Sequence, residues 1–502
     1  MAIPLKIIDS PELFFGFVSA VGADIDETMI CFKKKLEKFG YNVEEISITQ
    51  SFEYIAKAIK PKIDLKKETE YERIKSNIAY GNQLRSHYQD AGVLSAVAVK
   101  GIIEKRKPDS KPEKTAYLLR QFKRKEEIDT LRQIYGKLFF QVSVYSRRAA
   151  RVEHLSRRFA DDNGSGTAKS FRQQAEELVL TDENEITDDY GQRVGKIFHD
   201  ADFIVSADSL LPSVKAQVSR FCELLFASNS ISPNKHEYGM FLAKAAALRT
   251  LDLSRQVGAA AFSQTGEVIS LGSNEVPKAT GGTYWSDEEF DDREYKRGID
   301  SNDKRKKELL FEVFQSYDPK IKKEDLFANK NIMDTQFMDA LEYGRIIHAE
   351  MSVISDAARS GNSLRQAVLY TTTFPCHLCA KHIVSSGFSK VVFLEPYPKS
   401  LAEGLHADSI EFENSERGKY SKFPSVKFEH FFGVTPRKYR ELFERASRKN
   451  GISGKFKNYL TEGAPTPIVN IYYPFYLSFE DVVVKGYKDI VDKIPVGNGS
   501  KK

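Results

Sequence analysis

HAEMSVISDAARSGNSLRQAVLYTTTFPCHLCAKHIVSSGFSKVVFLE, residues 348–395, is the stretch that decides the fold of this 502-residue chain. Apolar periodicity predicts a helix over 349–359 that ends near Gly361. A continuous apolar run then predicts a strand over 367–373. The pattern repeats as a helix over 377–386, stopped by Gly387, and a strand over 390–395. The stretch is therefore typical of an α/β fold with parallel strands.

The residues before this stretch complete one α/β domain. The segment HEYGMFLAKAAALRTLDL, from His236, has the alanines and the apolar spacing of a helix. GAAAF at 258–262 and EVISLG at 267–272 are joined by a turn that contains Gly266, which predicts a β-hairpin. The predicted order is α, β, β, α, β, α, β, and we expect a three-layer α/β/α domain.

The beginning of the chain predicts a second α/β domain. A strand at 13–18, a helix at 24–39 and a strand at 41–48 make a βαβ unit, which requires a parallel sheet covered by helices. Because a single hydrophobic core stops growing at about 250–300 residues, two domains are expected. We place them at 1–230 and 231–502, with a lid-like polar insertion at 281–340 and a C-terminal extension at 424–502 that packs on the second domain.

Composition narrows the class of protein. The chain is 41% hydrophobic and 29% charged, which is ordinary for a globular protein. Neither a secretory signal nor a run long enough to span a membrane is present, so we expect a cytoplasmic protein without membrane contact. Residues 100–158 hold 17 Lys or Arg against 7 Asp or Glu. This basic block indicates either a phosphate-bearing partner or a solvated face.

Chemistry-bearing residues cluster at the two helix starts of the opening stretch. His348, Cys376 and Cys379 supply one imidazole and two thiolates, the donors that zinc prefers, and leave a fourth tetrahedral position for water. Glu350, two residues after the histidine, is then placed to move protons without binding the metal. The alternative is a pair of inert thiols and a core histidine. Only four cysteines occur, so no second CxxC completes a structural zinc site.

HAE, followed after 24 residues by PCHLC, resembles the signature of zinc deaminases. RQVGAA from Arg255 and GSNEVP from Gly272 are similar to segments of deoxycytidylate deaminases, although Glu275 stands where that family more often has glycine. Further segments resemble the anti-phage dCTP deaminases of bacteria. They are YGQR from Tyr190, EYGM from Glu237, SRQVG from Ser254, EPYPKS from Glu395 and GVTPRKY from Gly433.

The resemblance implies a reaction and a set of partners. Zinc-activated water would attack C4 of cytosine, Glu350 would protonate N3 and then the leaving amine, and ammonia would depart. The implied substrate is a free deoxynucleotide, dCTP, whose removal starves a phage of a DNA precursor. We also expect a homo-oligomer. Alternatives are dCMP as substrate, a cytosine in nucleic acid, and a nucleotide sensor with a vestigial site.

Several residues are candidates for binding the substrate. Asn274 would contact the deoxyribose, Ala349 lies between the ligand and the acid, and Arg255 and Lys278, with the basic pair 296–297, are phosphate partners. Trp285 lies in the insertion and either closes over the nucleotide or anchors a surface loop.

The first domain begins with a glycine-containing loop. Gly16 and Gly22 resemble the ends of a phosphate-binding P-loop, but five residues separate them where the motif has four. Ala23 and Asp24 stand where Lys and Ser or Thr belong. We expect a P-loop-NTPase-like domain without ATP hydrolysis that binds a regulatory nucleotide. The alternative is a tight turn without a ligand, in which Asp24 caps the helix.

Overall fold

The chain divides into two compact units. The computed structural model describes residues 7–106, 111–164, 166–183, 185, 188–208, 212–397, 399–413, 417–445, 447–460 and 465–495. The first unit consists of residues 1–233 and 432–502, and the second of residues 234–431. The division after Pro233 lies close to the expected one at residue 230.

Residues up to 233 contribute five strands and nine α-helices among the described residues. The strands are β1 Leu13–Ser19, β2 Asn42–Ser47, β3 Thr115–Arg120, β4 Phe139–Tyr145 and β5 Phe203–Ser206. The helices are α1 Ile25–Lys38, α2 Phe52–Ile55, α3 Glu70–Tyr88, α4 Leu94–Lys105, α5 Lys125–Tyr135, α6 Arg148–Asp162, α7 Arg172–Glu183, α8 Val194–Ile197 and α9 Val214–Leu225.

The second unit alternates helices and strands. Its helices are α10 Lys235–Ala247, α11 Glu294–Arg297, α12 Ser301–Tyr317, α13 Lys323–Ala328, α14 Lys330–Met333, α15 Ala349–Arg359, α16 His377–Ser385 and α17 Ala402–Leu405. Its strands are β6 Gly258–Phe262, β7 Val268–Ser273, β8 Val368–Thr373, β9 Lys390–Glu395, β10 Ile410–Phe412 and β11 Val426–His430. The predicted order of the core elements is confirmed, including the β6–β7 hairpin.

The chain then returns to the first unit. Its last elements are β12 Gly433–Val434, α18 Tyr439–Phe443, α19 Tyr476–Gly486 and α20 Lys488–Val491. Strand β12 pairs antiparallel with β5. The expectation that residues 424–502 extend the second domain is therefore wrong from residue 432 onward.

A buried polar network holds this returning segment. The Arg106 guanidinium donates to the carboxylates of Glu12 and Glu480, at 2.8 and 2.7 Å. Tyr476 donates to Glu12 and Tyr135 to Glu480. Both carboxylates are about 1% exposed. A buried charge without its partners is strongly destabilising, so these contacts fix α19 in the first unit.

The sheet of the first unit is doubly wound. Its strand order is β12-β5-β4-β1-β3-β2, and β1 to β5 run parallel. From β1 the chain passes to the edge strand β2 and returns to β3, which lies between β2 and β1. It then continues on the other side of β1 through β4 and β5. The order of strands reverses at β1, and ligands of such sheets bind outside the carboxyl ends of the strands at this point.

The sheet of the second unit is mixed and lies between helices. Its order is β10-β11-β9-β8-β6-β7, in which β8, β9, β11 and β10 are parallel. Ala259 and Ala261 pack with α15 and α16. The neighbouring Gly258 faces α10, since a Cβ built there would lie 2.0 Å from the Ala243 carbonyl oxygen. Helices therefore cover both faces, as the three-layer prediction required.

Among the described residues, no helix combines the length and the apolar character that a membrane span requires.

Candidate zinc centre

Two helix starts bring the candidate ligands together. His348 is the N-cap residue of α15 and makes no capping hydrogen bond with its side chain, so its imidazole is free to turn toward α16. Cys376 is the N-cap residue of α16, where its Sγ accepts from the backbone N–H of Cys379 at 3.4 Å. Helix N-termini carry partial positive charge, which favours a thiolate at the N-cap residue Cys376.

The three donor atoms have the spacing of metal ligands. The Nδ1 atom of His348 lies 3.3 Å from the Sγ of Cys379 and 3.4 Å from that of Cys376. All three donor atoms lie within 4.8 Å of one another. In tetrahedral zinc, ordinary Zn–N and Zn–S bond lengths put such atoms about 3.6 Å apart. The donor set therefore fits zinc, with three protein ligands and one position left over.

Electrostatics favour the thiolate form of Cys376. A hydrogen bond with Cys379, and then one with His348, lower the pKa of the Cys376 thiol to about 4. A thiolate is the form that binds metal. Burial alone would lower the pKa of His348, but the hydrogen bond and charge of Cys376 raise it to about 9.

Glu350 lies beside the donors without joining them. It is only 4% exposed, and Thr371 Oγ1 donates to its Oε1 at 3.5 Å. Burial first, and the charge of Cys376 second, raise the pKa of Glu350. A raised pKa makes the protonated carboxyl group easier to form, which suits a residue that takes up a proton and passes it on.

Two features of the hairpin set the position of α15. A Cβ built at Gly272 would lie 2.4 Å from the Ala349 carbonyl oxygen and 2.8 Å from the Val353 backbone nitrogen, so only glycine allows this approach. Just beyond β7, Glu275 and Ile347 exchange backbone hydrogen bonds at 3.1 and 3.2 Å. The residue before His348 is thereby tied to the end of the hairpin.

Glu275, the departure from the family pattern, has a structural use here. Its buried carboxylate accepts from the backbone N–H of Leu251 at 2.9 Å and lies 3.6 Å from Arg293. The carboxylate thus links the loop after α10 to the segment that carries His348. Sequence reasoning had no signal for this role, because the partners lie 24 and 18 positions away.

A cavity of about 300 Å³ opens over the donors. His348, Glu350 and Cys376 line it, together with Ala349, Arg255 and Asn274 from the predicted substrate set. The structure also adds lining residues that sequence reasoning missed, namely Asp252, Lys306, Asp339, Tyr397 and Lys399. Of these, Lys306 and Asp339 belong to the insertion at 281–340, which was expected to cover the site.

Asn274 uses its amide within the protein. Its Oδ1 accepts from the Val257 N–H at 2.7 Å, and its Nδ2 donates to the Arg255 carbonyl oxygen at 2.7 Å and to Asp252. These bonds shape the loop between α10 and β6. Asp252, whose pKa is raised by burial, is the acidic group that this loop presents to the cavity, beside Arg255.

Lys278 and Trp285 are not brought to the cavity. The Lys278 amine pairs with Glu288, and the Trp285 ring stacks on the Arg249 guanidinium, 3.6 Å from the ring centroid. Trp285 is half exposed. Nearer partners hold both side chains, and their contact with substrate stays a prediction. In the basic pair, Arg297 is bonded to Asp292.

Of the two glycines of the predicted phosphate loop, Gly16 and Gly22, only Gly22 lines a cavity. Gly16 is inside β1, where an added Cβ would lie 2.5 Å from the Phe139 ring. The prediction that Gly16 binds nucleotide is therefore wrong, since close packing explains it. Gly22 has φ +87° and approaches the Arg151 carbonyl oxygen. Asp24 caps α1, as the alternative reading predicted.

Comparison with known proteins places the site in a family. The family model for the cytidine and deoxycytidylate deaminase zinc-binding region matches residues 233–395. The deoxycytidylate deaminase of Enterobacteria phage T4 is 48% identical over 54 residues, 11% of this chain and 28% of that protein. The tRNA-specific adenosine deaminase of Bacillus subtilis is 34% identical over 113 residues, 22% of this chain and 70% of that protein.

Among solved structures, the dCMP deaminase of cyanophage S-TIM5 is similar over 40% of this chain and 100% of its own, at 15% identity and a TM-score of 0.23. The chain covers less than a third of the phage T4 enzyme's length. The assignment to a family rests on the region matched by the family model and on the Bacillus relative. Through residues 233–395 the chain belongs to the cytidine and deoxycytidylate deaminase family, and zinc is the cofactor of its His348, Cys376 and Cys379 group.

Replacing a ligand should remove the metal. We expect Cys376→Ser to lower zinc affinity by about 100-fold or more, because a thiolate is lost from a three-ligand site. Zinc content after dialysis, measured by plasma mass spectrometry, checks this. Cys31→Ser is the matched control, since Cys31 lies on α1 in the first unit. Equal zinc in the two variants would contradict the assignment.

Proposed function

We propose that the second unit deaminates a free deoxycytidine nucleotide by hydrolysis, with dCTP as the preferred substrate and dUTP and ammonia as products. One observation carries the proposal: the zinc ligands His348 and Cys376 and the buried acid Glu350 line one small cavity. An acid beside an open zinc position is the arrangement that zinc deaminases use on cytosine and adenine rings.

The residues divide the chemistry between them. Bound zinc would lower the pKa of a coordinated water to about 7 and so supply the nucleophile for C4. The Glu350 carboxylate takes the proton released by that water and delivers it to N3 of the ring. Glu350 then moves a second proton from the new hydroxyl group to the amino group, which leaves as ammonia. The burial that raises the pKa of Glu350 suits both transfers.

Cationic side chains support a phosphorylated substrate. Arg255 and Lys399, both more than half exposed, and the buried Lys306 line the same cavity as Glu350. Arg255 lies 3.5 Å from Glu395, and Lys399 pairs with Asp339, so each cation can exchange a carboxylate for a phosphate oxygen. Three cations favour a triphosphate over a monophosphate. The similarity to deoxycytidylate deaminases favours dCMP as the second candidate.

A wider role follows from this substrate. Removal of dCTP from the cytoplasmic pool would deprive an infecting phage of a DNA precursor, in line with the resemblance to anti-phage dCTP deaminases. We propose that the enzyme acts as a homo-oligomer and that its first unit, a P-loop-NTPase-like domain, takes a regulatory nucleotide. The parallel sheet that reverses its order at β1 supports a ligand-binding role for that unit.

Glu350→Gln tests the chemistry directly. We expect this variant to keep its zinc but to lose deamination by about 10²–10⁴-fold, because the amide cannot carry the protons. The measurement is mass spectrometry of products after incubation with dCTP, dCMP, CTP and a cytosine-containing oligonucleotide. The proposal is supported if the wild-type chain converts dCTP to its uracil form and the Glu350→Gln variant does not.

Other outcomes discriminate between the alternatives. Product from dCMP alone would transfer the assignment to a deoxycytidylate deaminase, and product from the oligonucleotide alone to a nucleic-acid deaminase. Unchanged activity in the Glu350→Gln variant would contradict the mechanism.

Lys399→Gln tests the phosphate contact. We expect it to raise KM for dCTP about five-fold with little change in kcat, because one partly exposed charge contact is worth about 1 kcal/mol. Lys278→Gln is the control, since Lys278 does not line the cavity. Steady-state kinetics with dCTP check both variants, and an equal effect of the two would count against the assigned phosphate end.

A further inference from the structure

The first unit contains a larger cavity than the zinc site does. It has a volume of about 630 Å³ and lies at the carboxyl ends of β1, β2 and β3, beside the point where the strand order reverses. Small-molecule sites of proteins occupy about 300–1,000 Å³ and occur at such switch points. Helices α3 and α6 complete its lining.

The loop after β1 is not where an anion would bind. The buried Asp182 carboxylate, from α7, already accepts from the Val21 N–H at 2.7 Å. The Lys123 amine lies 2.7 Å from the same carboxylate and donates to the Ser19 carbonyl oxygen at 2.8 Å. The protein's own carboxylate therefore fills the position of a P-loop phosphate. Asp26 and Glu27 add negative charge to the first turn of α1.

Arginines elsewhere on the wall offer a better anion site. Arg73 of α3 and Arg158 of α6 each bind Glu70 at 2.6 Å, so two guanidinium groups share one carboxylate. Both arginines are nearly half exposed toward solvent and keep further N–H donors. Arg120, at the end of β3, is paired with Asp26 and has a buried Nε without a hydrogen-bond partner in the described structure.

The rest of the lining suits a base and a sugar. Ile48, Phe52 and Leu94 provide an apolar surface. Gln192 also lines the cavity, is about 95% buried, and has a side-chain oxygen without a hydrogen-bond partner among the described residues. A buried acceptor without a donor is costly, which indicates that a ligand group completes it. Amino and hydroxyl groups of a nucleoside are such donors.

We propose that this cavity binds a nucleotide, with its phosphates on Arg73, Arg158 and Arg120, its base on the apolar surface, and an amino or hydroxyl group donating to Gln192. The site deepens the proposed regulatory role of the first unit and rests on that part of the proposed function. It replaces the glycine-containing loop as the place where phosphate is held.

The test uses the full chain with Glu350→Ala, so that no nucleotide is consumed. Isothermal titration calorimetry measures the binding of ATP and of dTTP to this parent protein, and we expect at least one of them to bind. The double variant Arg73→Gln/Arg158→Gln should bind that nucleotide about 10-fold or more weakly, because two charge-assisted contacts are lost. Arg157→Gln is the matched control, since Arg157 is the neighbour of Arg158 on α6, is 70% exposed and does not line the cavity. We expect Arg157→Gln to bind as the parent does.

Three results would overturn the inference: no binding of either nucleotide, equal binding by parent and arginine variants, or binding that Lys399→Gln weakens instead, which would place it in the zinc cavity. If the double variant unfolds at a lower temperature than the parent, the single variant Arg158→Gln repeats the test, because its side chain is about half exposed and its loss disturbs packing less. Deamination by the wild-type chain is measured separately. Activity without arginine-dependent binding contradicts only this site, and binding without activity contradicts only the proposed reaction.

Discussion

The zinc centre depends on one close approach, that of helix α15 to the β6–β7 hairpin at Gly272. With no side chain at this position, the first turn of the helix lies directly on the strand. That turn carries His348 at its cap and Glu350 inside it. A larger residue would lift the ligand and the acid together. Position 272 therefore sets the distance from His348 to the thiols on α16, and with it the geometry that fits zinc.

Burial gives these few residues their chemical character. Low effective dielectric strengthens the attraction between the His348 imidazole and the Cys376 thiolate, and it raises the pKa of Glu350. The same burial would be destabilising without partners. A zinc ion satisfies the donors, and the substrate ring completes the surroundings of the acid. The contacts that offset the cost of burying these groups are thus the same ones that the chemistry uses.

The second unit was predictable because its signals are local. Its core helices and strands carry their own periodicity, and Gly361 and Gly387 mark the ends of α15 and α16. His348, Glu350, Cys376 and Cys379 lie at the starts of these two helices. Elements of the first unit were missed for a physical reason. Helix α3 buries Ser76, Asn82 and Arg85, so its inward face does not read as apolar. The return of α19 to the first unit depends on Glu12 and Glu480, which both bind the Arg106 guanidinium. No local sequence pattern reveals such a long-range contact.

The residues that line the cavity were harder to predict than the zinc ligands. Lys278 and Trp285 follow the hairpin closely in sequence, but Glu288 and Arg249 hold their side chains elsewhere. Lys306 and Lys399 also line the cavity. Lys306 lies on α12 of the polar insertion, and the EPYPKS segment that contains Lys399 carries a family resemblance but no signal that its lysine faces the cavity. Metal ligands must occupy fixed helix positions, whereas phosphate contacts can come from any long side chain near the rim.

X-ray absorption at the zinc edge of the purified full-length chain tests the central claim most directly. An open catalytic centre built from His348, Cys376 and Cys379 predicts two sulfur neighbours at about 2.3 Å and two nitrogen or oxygen neighbours at about 2.0–2.1 Å, one of them exchangeable water. A shell of four sulfurs, a shell without sulfur, or a protein that retains no zinc would contradict it.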